Sequence, residues 1–143
     1  PAAKTLEVGL TPSTAYTFEQ IAKDSSLTTF RKPNQIEFSD GHCEEVHSWA
    51  DTAKAIVERI GNKYQLPVLP FKIGTGHNYF LNSVAVHERG NQMLGQRIAK
   101  IDNQTVYIDI RRDAISMARS IAGFLKAAGA PHDAVKVSLA SQD

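Results

Sequence analysis

The order of hydrophobic patterns along the chain predicts an α+β fold, a mostly antiparallel sheet with two main helices packed on it. Two observations carry the helices. Trp49, Ala53, Ile56, Val57, Ile60 and Tyr64 recur at helical spacing, and so do Ile115, Ala118, Ile121, Ala122, Leu125 and Ala128. A third carries the sheet: short β-rich runs lie before, between and after those stripes, the clearest being Thr105 to Ile110 and Val135 to Leu139.

Taken in chain order, residues 1–34 read as an irregular N-terminal segment. A short helix is expected from Thr17 to Asp24, with Phe18, Ile21 and Ala22 on one face. Residues 35–143 read as a single α+β domain. Gln35-Ile36-Glu37-Phe38 alternates as a half-buried strand should, and Asp40-Gly41 predicts a two-residue hairpin turn into a return strand over His42 to His47. That return strand is poor in apolar residues, so it belongs at a sheet edge. Ser48 opens the first long helix as its cap, with Asp51 in the first turn where the helix dipole favours an acid. Leu66-Pro67 stops it. Val68 to Ile73 is a short apolar run, Gly74-Thr75-Gly76 a turn, and His77 to Val86 reads as extended. Gly95 to Ile101 and Thr105 to Ile110 predict two strands joined at Asp102-Asn103-Gln104. In the second, Val106, Ile108 and Ile110 share one face, and Thr105, Tyr107 and Asp109 the other. The second long helix is expected over about 113–128, with Gly129 just past its last turn and Pro131 beyond.

Hydrophobic residues make up 42% of the 143 and charged ones 22%, which excludes a disordered polyelectrolyte. No apolar run reaches membrane-span length, and Pro1-Ala2-Ala3-Lys4 has no signal-peptide core. The single cysteine, Cys43, excludes an intrachain disulfide and points to a reducing, cytoplasmic setting. The net charge of +1 is unevenly placed: Arg89 to Lys126 holds 7 basic and 3 acidic residues. That asymmetry points to an anionic partner, against the plainer reading of a solvated face.

Residues 35–139 carry a resemblance. It rests on Ile36 to Gly41 followed by Val46-His47-Ser48-Trp49 opening a helix, and on Asn78-Tyr79-Phe80-Leu81. It is completed by Val106-Tyr107-Ile108-Asp109 before a long helix closed by Ala128-Gly129-Ala130, with Val135-Lys136-Val137 after it. In that order these segments resemble small α/β modules found alone or appended to bacterial restriction, phage-defence and mobile-element proteins. The resemblance implies a fold and a setting, that of a nucleic-acid-binding or partner-binding accessory. It carries over no catalytic residue.

Candidate site residues fall into four groups. Arg97, Lys100, Arg111, Arg112 and Arg119 form a basic set. Arg111-Arg112 precede a helix N-terminus, whose free amides add positive potential, and Tyr107 on the outward face of the preceding strand could stack on a base. Against this, Asp109 and Asp113 are close enough to neutralise those arginines. His77, His87 and Arg89, with Tyr79 nearby, could run general acid–base cleavage of RNA, and Gly74-Thr75-Gly76 could hold an anion on backbone amides. The plain alternative is surface histidines at strand ends. His42, Cys43, Glu44 and His47 contain metal-ligating types, but on a strand the two histidines face opposite sides and no zinc motif accompanies them, so no metal is expected. Pro1 could act as a secondary-amine nucleophile only with other support, which is lacking. Glu44 and Glu45 disfavour a Cys43 thiolate. Trp49, Phe80 and Phe124 read as core.

The leading expectation is a non-enzymatic cytoplasmic module that binds nucleic acid or a protein partner, without cofactor or membrane contact. A small metal-independent nuclease or toxin-like hydrolase using His77, His87 and Arg89 is the first alternative. The second is a structural domain whose 42–47 edge pairs with another copy to form a homo-oligomer.

Overall fold

The computed structural model describes residues 15–29 and 31–140. Pro1 and the rest of 1–14 lie outside the described residues, so the terminal amine is not placed. The fold is α+β, with three α-helices and two antiparallel sheets among the described residues. The expected sheet is therefore divided. The first sheet contains β1 (Ala15–Thr17), β7 (Val135–Leu139), β2 (Pro33–Phe38) and β3 (Cys43–Glu45) in that spatial order. The second contains β4 (Leu81–Asn82), β6 (Gln104–Asp109) and β5 (Gln96–Ile101). The helices are α1 (Phe18–Lys23), α2 (Trp49–Lys63) and α3 (Ala114–Ala127). One apolar core joins both sheets to all three helices, with Phe18, Ile36, Ile56, Ile101, Ile108, Ile121, Phe124 and Val137 buried in it.

The helix ends follow from local chemistry. Thr17 and Gln20 form a reciprocal capping box at the start of α1. Ser48 Oγ accepts from the Asp51 amide to open α2, and Asp113 Oδ1 accepts from the Ser116 amide at 2.8 Å to open α3. At the end of α3, Gly129 takes a φ of +79°. Its amide donates to Lys126 O and that of Ala130 to Leu125 O, the paired bonds that close a helix through a left-handed residue. The buried face of α3 is rotated from the expected stripe: Met117, Ser120 and Phe124 are buried, whereas Ile115 and Ala122 are half-buried. The cause is that α1 and α2 both contact α3, which widens its covered arc beyond one sheet-facing stripe.

Three expectations change. The hairpin loop after β2 holds Ser39, Asp40 and Gly41, closed by Phe38 and His42, and only Gly41 has a positive φ. A turn followed by a left-handed glycine needs three residues, so the return strand starts later and shortens to β3. The extended reading of 77–86 reduces to β4 with single bridges, Phe71 to Leu81 and Val86 to Gln92. Side chains satisfy the backbone there instead: Asn82 Nδ2 donates to Val86 O, and the Tyr79 amide donates to His87 Nδ1. Finally, residues from Ala15 onward belong to the same fold as the rest. β1 pairs with β7, and Phe18 and Ile21 of α1 are in the common core.

Candidate functional site

The second sheet has an inner face against α2 and an outer face. Alternation along β6 turns Val106 and Ile108 inward, both fully buried, and Thr105, Tyr107 and Asp109 outward. On β5 the same rule turns Ala99 and Ile101 inward and Gln96, Ile98 and Lys100 outward. Register places Ile98, Tyr107 and Asn82 in one row across the three strands, with Lys100 beside Thr105 in the next pair. Side chains of such opposed residues touch on one face. Ile98 is 42% exposed, unusual for an isoleucine in a strand, and Tyr107 is half-buried. Lys100 Nζ bonds only the neutral Thr105 hydroxyl, at 2.7 Å, so its charge is not cancelled.

Asp109 lies on this outer face yet is only 3% exposed. The segment 83–95 folds over that end of the sheet. Its shape is set by the Val86–Gln92 bridge, by His87 N donating to Asn91 O, and by a turn at Gly90, whose φ is +85°. A pocket of about 350 Å³ remains beneath it, lined by Asn78, His87, Asn91, Gln92, Leu94, Asp109 and Arg111. His87 is 8% exposed. Its Nδ1 accepts from the Tyr79 amide at 3.0 Å, so Nε2 carries the proton of the neutral ring. That nitrogen stands 4.0 Å from Asp109 Oδ2, beyond a direct hydrogen bond. The side chains of Asn78, Asn91, Gln92 and Arg111 have no hydrogen-bond or ion-pair partner among the described residues.

The neighbouring arginines at the end of β6 have different jobs. Arg112 turns inward: it pairs ionically with Asp109 Oδ2 at 3.2 Å and donates to Tyr79 O at 3.1 Å and to Ser120 Oγ at 3.1 Å. Its guanidinium also lies 5.3 Å from the centre of the Phe80 ring. Burial lowers the Arg112 pKa from its ordinary value, with the Asp109 carboxylate acting in the opposite direction. Arg112 thus ties β6, the 79–80 segment and α3 together. Arg111 is exposed at the pocket mouth, and its amide donates to Asp109 Oδ1.

The remaining basic candidates do not join this face. Arg97 is on the inner side of β5 and pairs with Asp51 at 3.6 Å. Arg119 is exposed on α3, near enough to Asp113 to help hold that carboxyl below its usual value, behind the larger effect of the Ser116 hydrogen bonds. The six candidates therefore separate into Tyr107, Lys100 and Arg111 on one side of the second sheet and Arg97, Arg112 and Arg119 elsewhere.

His77, His87 and Arg89 are brought near one another, because Glu88 N donates to His77 O. Their side chains divide: His87 turns into the pocket, and His77 stays outside. His77 Nε2 meets Arg89 Nη2 at 2.8 Å and its Nδ1 meets Glu88 Oε2 at 3.1 Å. Arginine can only donate, so Nε2 accepts and Nδ1 carries the proton toward Glu88. Lys72 and then His77 hold the Glu88 carboxyl below its ordinary value by hydrogen bonding. At the glycine turn 74–76, the Gly76 carbonyl accepts from Lys72 Nζ.

A larger hollow, about 630 Å³, escaped the sequence reading. It lies where the β2–β3 hairpin meets α2, and Asp40, His42, Glu44, Glu58, Arg59 and Lys63 line it. Its charges are committed to each other or to the fold. Asp40 pairs with Arg59 and Lys63, His42 lies 3.2 Å from Glu44, and Glu58 accepts from the Lys100 amide. No group of three His, Cys, Asp or Glu side chains gathers as a metal-ligand set among the described residues. Cys43 is exposed on the edge strand β3. No described helix is long and apolar enough to cross a membrane. Comparison of the chain with protein-family models, with curated proteins and with solved structures finds no match.

Proposed function

We propose that the chain is a binding module for single-stranded nucleic acid, with the outer face of the second sheet as its docking surface. The observation that carries this is the outer-face row of exposed Ile98 and half-buried Tyr107, with two cations whose charge no acid cancels at its borders, Lys100 and Arg111. An unpaired base presents an apolar ring face and a charged backbone together. Aromatic and aliphatic side chains on a sheet can take the ring, and lysine and arginine the phosphates. A duplex is a poorer fit, because its ring faces are already stacked. The absence of a strongly basic field predicts modest affinity with a shallow salt dependence.

The test is fluorescence anisotropy with labelled single-stranded RNA, single-stranded DNA and duplex DNA at two salt concentrations. Single strands should bind more tightly than the duplex. Tyr107→Ala should lose about 1–3 kcal/mol of binding, the worth of one stacked base. Arg111→Ala should reduce the salt slope by about one. Equal binding of duplex and single strand, or an unaltered Tyr107→Ala, refutes the reading.

A second reading is favoured by one arrangement, the Glu88–His77–Arg89 chain. An imidazole oriented by a carboxylate beside a guanidinium has the parts for metal-independent phosphodiester cleavage. Running the same samples on a gel tests it. Probe cleavage that disappears in His77→Ala would replace the binding reading with the hydrolytic one.

A further inference from the structure

We infer that the pocket under segment 83–95 receives one guanine base of a bound strand. This rests on the outer-face reading above and adds what that surface selects.

The pocket is built for a polar ligand with donors and acceptors on separate edges. His87, more than nine-tenths buried, aims its protonated Nε2 toward Asp109 across a gap too long for a bond. Arg111 brings an uncommitted guanidinium to the mouth, and the carboxamides of Asn78, Asn91 and Gln92 are equally free. Asp109 supplies the acceptor. Its two oxygens offer about four lone-pair directions, of which the Arg112 guanidinium and the Arg111 amide engage two. In the larger hollow beside α2, by contrast, the charges are matched among protein groups.

The size is that of a small ligand. About 350 Å³ is near the lower end of small-molecule sites, which run from about 300 to 1,000 Å³. Among the bases, guanine matches both walls. Its O6 and N7 are adjacent acceptors suited to an arginine fork or a histidine N–H, and its ring N–H and exocyclic amine are adjacent donors suited to a carboxylate. Adenine offers the arginine one acceptor beside a donor. Uracil lacks an exocyclic amine for Asp109, and cytosine lacks the paired acceptors.

Position connects the pocket to the docking surface. Asp109 follows Tyr107 by two residues on the same face of β6, about 7 Å along the strand. A base stacked on Tyr107 therefore leaves its neighbour at the pocket mouth, where Arg111 is within reach of either the base edge or the linking phosphate.

The experiment has two arms with the chain as it stands. In the first, two-dimensional NMR follows amide shifts during titration with GMP, AMP, CMP, UMP and inorganic phosphate. GMP should shift His87, Asn91, Gln92 and Arg111 at the lowest concentration. In the second, anisotropy compares an all-uridine RNA with the same RNA carrying one central guanosine. The guanosine should tighten binding by about tenfold, or 1.4 kcal/mol. Gln92→Ala and Arg111→Ala, both exposed and so compatible with folding, should reduce that preference. Salt-sensitive binding of both RNAs with no guanosine preference overturns the pocket assignment and leaves the surface reading intact. Equal shifts from all nucleotides and from phosphate also overturn it, since the pocket would then be an anion site only. Pocket shifts from GMP with no RNA binding keep the guanine assignment and refute the surface reading.

Discussion

Replacing Arg112 with methionine should destabilise the fold strongly, while the same change at Arg111 should leave stability nearly untouched. The two residues are adjacent and identical in type, so sequence-local effects cancel and the contrast measures environment alone. Arg112 makes two hydrogen bonds and faces the Phe80 ring, and its ionic partner Asp109 is 3% exposed. Methionine keeps much of the stem volume but leaves the carboxylate with only the Arg111 amide. Breaking a buried pair from one side costs about 3–5 kcal/mol. The Arg112 side chain retains 14% exposure, which favours the lower figure. At about 2–4 °C per kcal/mol for a chain near this length, the midpoint should fall by roughly 6–12 °C. Arg111→Met should stay within about 0.5 kcal/mol, as expected for a surface site without partners. Urea denaturation followed by circular dichroism reads both values. Adding Asp109→Asn to Arg112→Met should cost less than the two single changes summed, because the orphaned charge is then gone. Equal stability of the two arginine variants, or strict additivity in the cycle, would refute the division of roles. Binding supplies the mirror image: at a temperature where both variants are folded, Arg111→Met should flatten the salt slope and Arg112→Met should not.

Three further outcomes follow from the geometry. Asp113→Ala removes the α3 cap bond to Ser116 and should cost about 1 kcal/mol in the same urea assay. Gly61→Ala sets two effects in opposition. A helix-interior alanine gains about 1 kcal/mol, but its Cβ would lie 2.6 Å from Cδ1 of the buried Ile101, and overpacking costs about 1–3 kcal/mol. A net loss is expected, relieved when Ile101→Val removes that methyl group. Asp40 has its carboxyl lowered from 3.8 to about 2, first by the His42 backbone amide and then by the Arg59 side chain. A depressed folded value means stability that is present above 3.8 and lost as pH falls toward 2. Asp40→Asn should therefore lower the stability–pH curve above pH 5 without changing its slope there, and flatten its acid limb between about 4 and 2.

What the sequence disclosed depended on how each part satisfies its backbone. α2, α3 and β7 satisfy theirs internally or along a ladder, so periodicity and end signals such as Ser48 and Gly129 revealed them within a residue or so. Alternation along 105–110 puts Tyr107 and Asp109 on one face, as β6 has them. Segment 68–95 is different. Its order comes in part from particular side chains bonding particular backbone groups, Asn82 Nδ2 to the Val86 carbonyl and the Tyr79 amide to His87 Nδ1, and these pairings have no period. β1 was hidden by its length of three residues. The roles of Arg111 and Arg112 were not separable from sequence, because Asp109 and Asp113 lie within three residues of both; the contacts of Arg112 with Tyr79 O and Ser120 Oγ, distant in sequence, set them apart.

The proposed docking surface and the stability of the fold therefore share one residue. Asp109 is placed by strand alternation on the face that carries Tyr107, and loop 83–95 then covers it. A buried carboxylate in that position requires a cation, which Arg112 provides from the protein side. Oδ1 then accepts the Arg111 amide, His87 Nε2 stands 4.0 Å from Oδ2, and Asp109, His87 and Arg111 all line the pocket. The pocket is thus a consequence of how the fold accommodates a charge at the end of β6. The selectivity proposed for the pocket should therefore be alterable at Arg111, Gln92 or Asn91 with little loss of stability, whereas any change at buried Asp109 or His87 must be judged first for its effect on folding. A pocket variant that loses binding is informative only when its unfolding midpoint is unchanged, and that condition singles out Arg111 and Gln92 as the positions to alter.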